Sequence, residues 1–312
     1  MPVVPGQVED IELADVNRWC HLHLGTQVAD ELFHVGYLST VIGIRLTSGQ
    51  SIVVKVRRPA ERLIACWTVH RHLFDCGFPC PEPLVGPEPL RDHVASAEAL
   101  VLGGELFPTS GRAAAPFAES LAHLIALSPN PDELPTLDPS PPWTAWNHRE
   151  PGLWPWPDDR DFDLNALDGP GWLDHAAQAA RERLQRSSPE RVVGHGDWYT
   201  GNLRWNGQQL HVAYDWDSIM ADTEPIVVGL AAAVFPVHAC RHRSHHRRDT
   251  SLHRRLRNRA GRPFSRAQIE ECWAAGLWSR SFDAKKQFAT EGQSRSLGED
   301  EARERLRRAG AG

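Results

Sequence analysis

Lysine is almost missing from this chain. Of its 34 basic residues only Lys55, Lys285 and Lys286 are lysine, so arginine carries nearly all the other positive charge. A lysine kept inside the strand-like run SIVVKVRR therefore invites a specific explanation. Long hydrophobic runs are missing too. The longest, Ile226 to Phe235, falls far short of the ~20 apolar residues a membrane-spanning helix needs, so no partnership with a membrane is expected. Cysteines with metal-type pairing are absent. Cys20, Cys66, Cys76, Cys80, Cys240 and Cys272 are scattered, and nothing near Cys76 and Cys80 completes a four-ligand site. The opening stretch MPVVPGQVEDIELAD has no basic patch before an apolar run, so it does not read as a signal peptide. A soluble, cytoplasmic protein with free thiols is expected. There is no excess of base either, and a net charge of −6 argues against a nucleic-acid partner.

What is present is ordinary globular material: 312 residues, 41% hydrophobic, enough for one large domain or two lobes. Residues 10–24 read as a helix. The run LFHVGYLSTVIGIRLTSGQSIVVKVRR reads as three strands separated by GYLS and TSGQ. AERLIACWTVHRHLFD (60–75) suits an amphipathic helix ending at Gly77, and EALVLGGELF reads as a further strand. The expected boundary falls near residue 102, with a small sheet before it and a mostly helical remainder over 103–312. That remainder includes helices at 116–127 and 172–186, a hairpin turning at Asn206–Gly207, and two buried helices after it. Residues 128–170 form a long irregular segment whose tryptophans favour packing over disorder. Residues 241–259 differ in kind, with eight Arg and four His in nineteen positions. A metal site using His238, Cys240, His242 and His246 is disfavoured by the interleaved arginines, and a solvated, mobile basic loop is expected.

The chemistry concentrates in VVGHGDWYTGNLRW, where His195, Gly196, Asp197 and Asn202 share one loop (194–202), and in YDWDS, which holds Asp215 and Asp217 (215–217). A hairpin loop at 207–210 would set Asn202 opposite Asp215, whereas a tight turn at Asn206–Gly207 would set it opposite His211. The sequence leaves that register open. Phosphoryl transfer needs this set of groups. A carboxylate must orient or deprotonate the attacking hydroxyl, which suits Asp197. An amide oxygen and a second carboxylate, Asn202 and Asp215, would hold Mg²⁺ (or Mn²⁺) on nucleotide phosphates, and Lys55 would neutralise those phosphates. Gly196 would give the loop freedom for a sharp turn.

HGDWYTGN followed by VAYDWDS resembles the H-G-D-x-x-x-x-N and I-D-[WF]-x-[DS] motifs of the aminoglycoside phosphotransferase and choline kinase-like enzymes. The resemblance implies an α+β, two-lobed protein-kinase-like fold: an antiparallel-sheet N-lobe with one helix and a larger helical C-lobe. It implies ATP or GTP as co-substrate and a small-molecule hydroxyl as acceptor. By position, Asp197 matches the catalytic base, Asn202 and Asp215 the metal ligands, and Lys55 the phosphate-binding lysine. In GYLSTV, Ser39 is the candidate phosphate contact. His195 braces the loop, and Asp217 is either a brace or a metal or substrate contact. Trp198 and Trp216 read as packing. Asp158, Asp159, Asp161 and Asp163 could attract a cationic acceptor.

The chain departs from the pattern in two places that matter. The helix position that normally pairs with the lysine through Glu falls near Cys66, with Glu61 five residues earlier, and the D-P-x-x-D brace is replaced by Glu224 and Val228. A nucleotide-binding regulatory protein without turnover is therefore the alternative reading. A metal-dependent hydrolase ranks last, since the loop offers only His195.

Overall fold

The computed structural model describes residues 11–36, 38–106, 114–187, 189–235 and 263–311. The basic block 241–259 and its candidate His/Cys set lie outside them. Helix α1 (Leu13–Leu24) ends at Gly25 in the left-handed conformation, φ +67°, which a residue without Cβ adopts freely. A five-stranded antiparallel sheet follows, ordered β1-β2-β3-β5-β4, with β1 Val28–Gly36, β2 Thr40–Leu46, β3 Ser51–Arg57, β4 Pro83–Leu90 and β5 His93–Ala99. Alternation along β2 and β3 sends Ile42, Ile44, Ile52, Val54 and Val56 into a core closed by Val16, Trp19 and Cys20 of α1. The same alternation turns Val53, Lys55 and Arg57 to the opposite face.

Where the sequence suggested one strand over EALVLGGELF, the chain makes two earlier ones, and β5 ends at Ala99. β4 carries Pro83, Pro87 and Pro89, residues that hide a strand from propensity and are tolerated here because β4 is a sheet edge.

Helix α2 (Arg62–Asp75) packs away from the α1 core. Its Ala65, Cys66, Val69 and Leu73 join a cluster with Trp198, Trp216 and Val227, so α2 ties the sheet to the helical part. Helices α3 (Ala114–Leu127), α4 (Gly171–Leu184), α5 (Glu224–Val234), α6 (Arg266–Glu291) and α7 (Glu299–Arg308) build that part. A Cβ at Gly229 of α5 would stand 2.2 Å from the Cys272 carbonyl oxygen, so the α5–α6 crossing depends on a glycine. The sequence reading missed α7. Its apolar side offers only Ala302, Leu306 and Ala309, and its exposed side is laced by Glu299–Arg303 and Glu304–Arg308 pairs at helical spacing.

Residues 128–170 contain three single 3-10 turns and are packed through tryptophan. Trp154 is buried against Trp278 and donates its indole N–H to Asp174 at 3.0 Å. Among the described residues no helix is long and apolar enough to cross a membrane. The architecture is the expected α+β one: an antiparallel sheet beside a larger helical part.

Candidate active site

Two short ladders position the site. Strand β6 (Val192–His195) pairs antiparallel with β9 (Ile219–Asp222), His195 opposite Ile219. The loop leaving β6 and the loop entering β9 therefore begin side by side, joined by Gly196 N–H donating to the Ser218 carbonyl at 2.7 Å. Gly196 does not adopt a positive φ. Its requirement is room, since a Cβ would meet Ser218 O at 3.0 Å, Thr144 at 3.1 Å and Met220 at 3.2 Å.

Between the loops runs the hairpin of β7 (Leu203–Asn206) and β8 (Gln209–Ala213). Asn206 pairs with Gln209, a bulge follows, and Leu203 pairs with Ala213. Tyr214 N–H then donates to Asn202 O at 2.9 Å. The register is thus intermediate between the two left open by the sequence. The bulge moves Asn202 opposite Tyr214, next to Asp215.

His195 is fully buried. Its Nδ1 faces the Asp197 backbone N–H at 3.2 Å and so accepts, which places the proton on Nε2, donated to Tyr214 O at 3.0 Å. Burial holds its pKa below the usual histidine value, so it is neutral at pH 7. The ring links the Asp197 loop to the Asp215 loop through uncharged hydrogen bonds. Asn202 donates through Nδ2 to the Asp197 carbonyl at 3.0 Å and to its carboxylate at 2.9 Å. Burial, reinforced by the nearby Asp215 charge, pushes the Asp197 carboxyl up to about 7.

Asp215 has φ 65° and ψ 54°, a left-handed conformation that costs a non-glycine residue about 1 kcal/mol or more and tends to persist at functional sites. Ser218 Oγ donates to its carboxylate at 2.8 Å and Ser218 N–H to its carbonyl at 3.1 Å. Lys55 reaches across from the sheet, its Nζ 2.5 Å from Asp215 Oδ1 and 2.6 Å from Asp217 Oδ2. Arg57 pairs with the other oxygen of Asp217 and donates to Ser96 Oγ at 2.5 Å. Burial alone would lower the Lys55 pKa, but the two carboxylates outweigh it and raise it. Burial alone would raise both acids. Arg57 and Lys55 hold Asp217 far below the carboxylate range, and Lys55 holds Asp215 below it. Glu61 is exposed at the start of α2. Cys66 occupies the inward position and donates its thiol to Asp217 O at 3.7 Å.

Lys55, Arg57, Asp197, Asn202, Asp215 and Asp217 line a cleft of about 1070 Å³ between sheet and helical part. Ser39, in the turn between β1 and β2, borders the same cleft. Residues 139–161 and α6 line the same cleft with Trp143, Trp156, Asp158, Asp159, Asp161, Asp283 and Lys286. Trp143 donates its indole N–H to Gly196 O at 3.0 Å and Trp146 to Asp222 at 2.8 Å, fastening this segment to the β6–β9 ladder. Asp163, expected among the cation-attracting acids, instead caps a 3-10 turn by accepting from Asn165 N–H at 2.8 Å. Asp283 was missed by sequence reading, although it precedes two of the chain's three lysines. Burial raises its carboxyl, and burial together with Asp159 raises that of Asp158. Trp198 and Trp216 lie in the core, with Trp216 stacked on His70 at 4.7 Å.

Among the described residues no three His, Cys, Asp or Glu side chains converge on a protein-only metal cage. The Asn202 amide oxygen and the Asp215 carboxylate are nevertheless hard donors flanking the two ends of one hairpin. That sparse set fits Mg²⁺, which is held by one or two protein oxygens together with substrate phosphates.

Behind Lys55 a small cavity of about 50 Å³ is lined by Cys66, His70, Ser96 and Glu98. Burial pushes the Glu98 carboxyl from 4.5 up to about 7, with Lys55 only partly offsetting it. Between those values the folded chain binds the proton more tightly than the unfolded one, so native stability falls as pH rises through about 7. Glu98→Gln is expected to be more stable than the parent by about 2–3 kcal/mol at pH 8, with the gap closing near pH 4.5. Thermal melts at both pH values check this, and a gap independent of pH would overturn it.

The sequence model of the phosphotransferase enzyme family matches residues 31–224, more than half of the chain. No curated protein sequence matches it. Among solved structures, the amicoumacin kinase hAmiN in complex with AMP-PNP, Ca²⁺ and Ami is 11% identical, with a TM-score of 0.60 over 96% of this chain and 92% of that one. The aminoglycoside phosphotransferase APH(4)-Ia is 16% identical, with a TM-score of 0.60 over 96% and 98%. The spectinomycin phosphotransferase APH(9)-Ia, with ADP and spectinomycin, is 14% identical, with a TM-score of 0.59 over 96% and 94%. At such identities the likeness speaks for fold, and the family match speaks for chemistry. With its protein-kinase-like fold, this chain belongs to the phosphotransferase enzyme family and is a kinase-type small-molecule phosphotransferase.

Proposed function

We propose that the protein transfers the γ-phosphate of ATP or GTP to a hydroxyl of a small molecule bearing positive charge. The observation that carries this reading is one cleft lined by two sets of groups. Lys55 from the sheet meets Asp215 beside Asp197 and Asn202 of the helical part, and Asp158, Asp159, Asp161 and Asp283 line the same cleft. Asp197 would orient the acceptor hydroxyl and take its proton, and burial makes it a better base than an ordinary carboxylate. Asn202 fixes that carboxylate through Nδ2. Lys55 would neutralise charge on the nucleotide phosphates, and Ser39 would contact them from the sheet edge. Asn202 Oδ1 and Asp215 would hold Mg²⁺ (or Mn²⁺), which when bound screens phosphate charge. His195 keeps the two loops in register. Phosphoryl transfer has a loose transition state, so positioning and electrostatics carry most of the work.

Among these acids, Lys286 pairs with Asp159 at 3.3 Å and approaches Asp283 at 3.7 Å, and Arg160 pairs with Asp159 at 3.4 Å, so four acids face two cations. An ammonium group entering there would meet Asp158 and Asp283, whose carboxyls burial raises. Cys66 in place of a helix glutamate favours the second reading, a nucleotide-binding regulator without turnover. The gathered trio of Asp197, Asn202 and Asp215 weighs against it.

The test is melting temperature with Mg²⁺ and ATP or GTP, followed by transfer of labelled γ-phosphate to amine-bearing and neutral polyols. Binding to the native state alone stabilises it by about 2.7 kcal/mol at a hundredfold excess over Kd. The expected result is a Mg²⁺-dependent shift and preferential labelling of the amines. A folded protein that neither nucleotide stabilises overturns the reading, and a shift without transfer to any acceptor selects the regulatory alternative.

A further inference from the structure

This inference rests on the phosphotransfer reading and concerns what holds Lys55. A lysine that must meet phosphates is a point charge on a flexible four-carbon stem, so it needs a standing partner. Helix α2 provides none. Its only acid is Asp75, at the far end and paired with Arg71, while Cys66 takes the inward position. Among the described residues the ion pairs of Lys55 are with Asp215 and Asp217, both from the loop entering β9.

The two acids are held differently. Asp215 has the lysine and a neutral hydroxyl, Ser218, as partners. Both Asp217 oxygens face cations of the sheet, Oδ2 with Lys55 and Oδ1 with Arg57. Its backbone is held as well. Arg62 donates to the carbonyls of Asp217 and Ile219, and the Cys66 thiol donates to the Asp217 carbonyl. Arg57 is itself anchored on Ser96. An acid so fully engaged is poorly available to a metal, whereas Asp215 can exchange its lysine contact for one.

We infer that Asp217 is the standing partner of Lys55, supplied across the cleft in place of a helix carboxylate and held there by Arg57 and Arg62. It is a positioning residue. Lys55 stays aimed at the phosphates when Asp215 turns to a metal-bound nucleotide. The three cation contacts also join sheet and helical part at the reacting centre. Glu98, the other acid lining the cavity behind Lys55, forms no ion pair with it among the described residues.

The test compares nucleotide KM and kcat in the full-length wild type, Asp217→Asn, and Asp217→Asn with Cys66→Glu. The single change is expected to raise nucleotide KM about ten- to a hundredfold, the range typical of removing a group that orients a functional side chain. Adding Cys66→Glu returns a carboxylate from α2 and is expected to restore most of the loss. A merely structural Asp217 would not be rescued by a second buried acid. Unchanged kinetics in Asp217→Asn, or a loss that Cys66→Glu does not repair, overturns the inference. Should Asp217→Asn fail to fold by thermal melting, Arg57→Gln keeps Asp217 but removes the cation that holds its Oδ1. A several-fold rise in nucleotide KM there supports the inference, and an unchanged KM overturns it. A wild type that binds no nucleotide removes the parent reading instead, which separates the two failures.

Discussion

Asp197→Asn is expected to lower kcat about a thousandfold while nucleotide KM moves by less than about threefold, the pattern of a group that acts in the transition state. The substitution is nearly isosteric and keeps a carbonyl oxygen to accept from Asn202 Nδ2, now 2.9 Å away. The loop also retains its other supports, the Gly196–Ser218 backbone bond and the His195 bridge to Tyr214. What disappears is a proton acceptor whose basicity burial has raised to about 7. Lys55, Asn202 and Asp215 stay in place, so ground-state binding of nucleotide should survive. Steady-state kinetics with both substrates varied separates these effects. A kcat within about tenfold of wild type would mean that Asp197 neither takes nor orients the proton.

The short-range parts of this site were legible because each needs only a few neighbouring residues. HGDWYTGN and YDWDS mark two loops on either side of a hairpin, and the structure places both loops in one cleft. What stayed hidden depends on contacts distant in sequence or on small backbone irregularities. The bulge between Arg204 and Trp205 sets whether Asn202 faces Tyr214 or a neighbour, and nothing in LRWNGQQLHV announces it. Local helix geometry points to α2 for the partner of Lys55, yet Cys66 holds the usual acid position there and Glu61 lies five residues earlier. The acids that meet Lys55 instead come from positions 215 and 217 on the far side of the cleft.

The acidic lining of the cleft was legible only in part. An acidic run marks residues 158–163 as a group, yet the structure separates Asp163, a turn cap, from three acids that face the cleft. Asp283 escaped because one acid in a long helix has many unremarkable explanations. The tryptophans of 143–156 are informative in a different way. The indole N–H groups of Trp143 and Trp146 fasten an irregular segment to the β6–β9 ladder, so a stretch without regular strands or long helices can still present side chains at fixed positions.

The second large effect is expected at Asp215, where two physical terms must be kept apart. Its backbone is left-handed, so Asp215→Ala combines loss of the carboxylate with a residue poorly suited to φ 65°. Asp215→Asn removes the charge and tolerates the backbone, so it isolates the electrostatic term. With Mg²⁺ and nucleotide at a hundredfold excess over the wild-type Kd, wild type should gain about 2.7 kcal/mol of stability and Asp215→Asn almost none. The kcat/KM of the variant should fall about a thousandfold, as charge developing on the transferred group loses its main support. Lys55 keeps its 2.6 Å contact with Asp217 in this variant, so any remaining nucleotide affinity should no longer depend on Mg²⁺. Melting curves with nucleotide, with and without chelator, read this directly. A variant whose nucleotide shift keeps the wild-type dependence on Mg²⁺ would place the metal elsewhere and leave Asp215 as a partner of Lys55 alone.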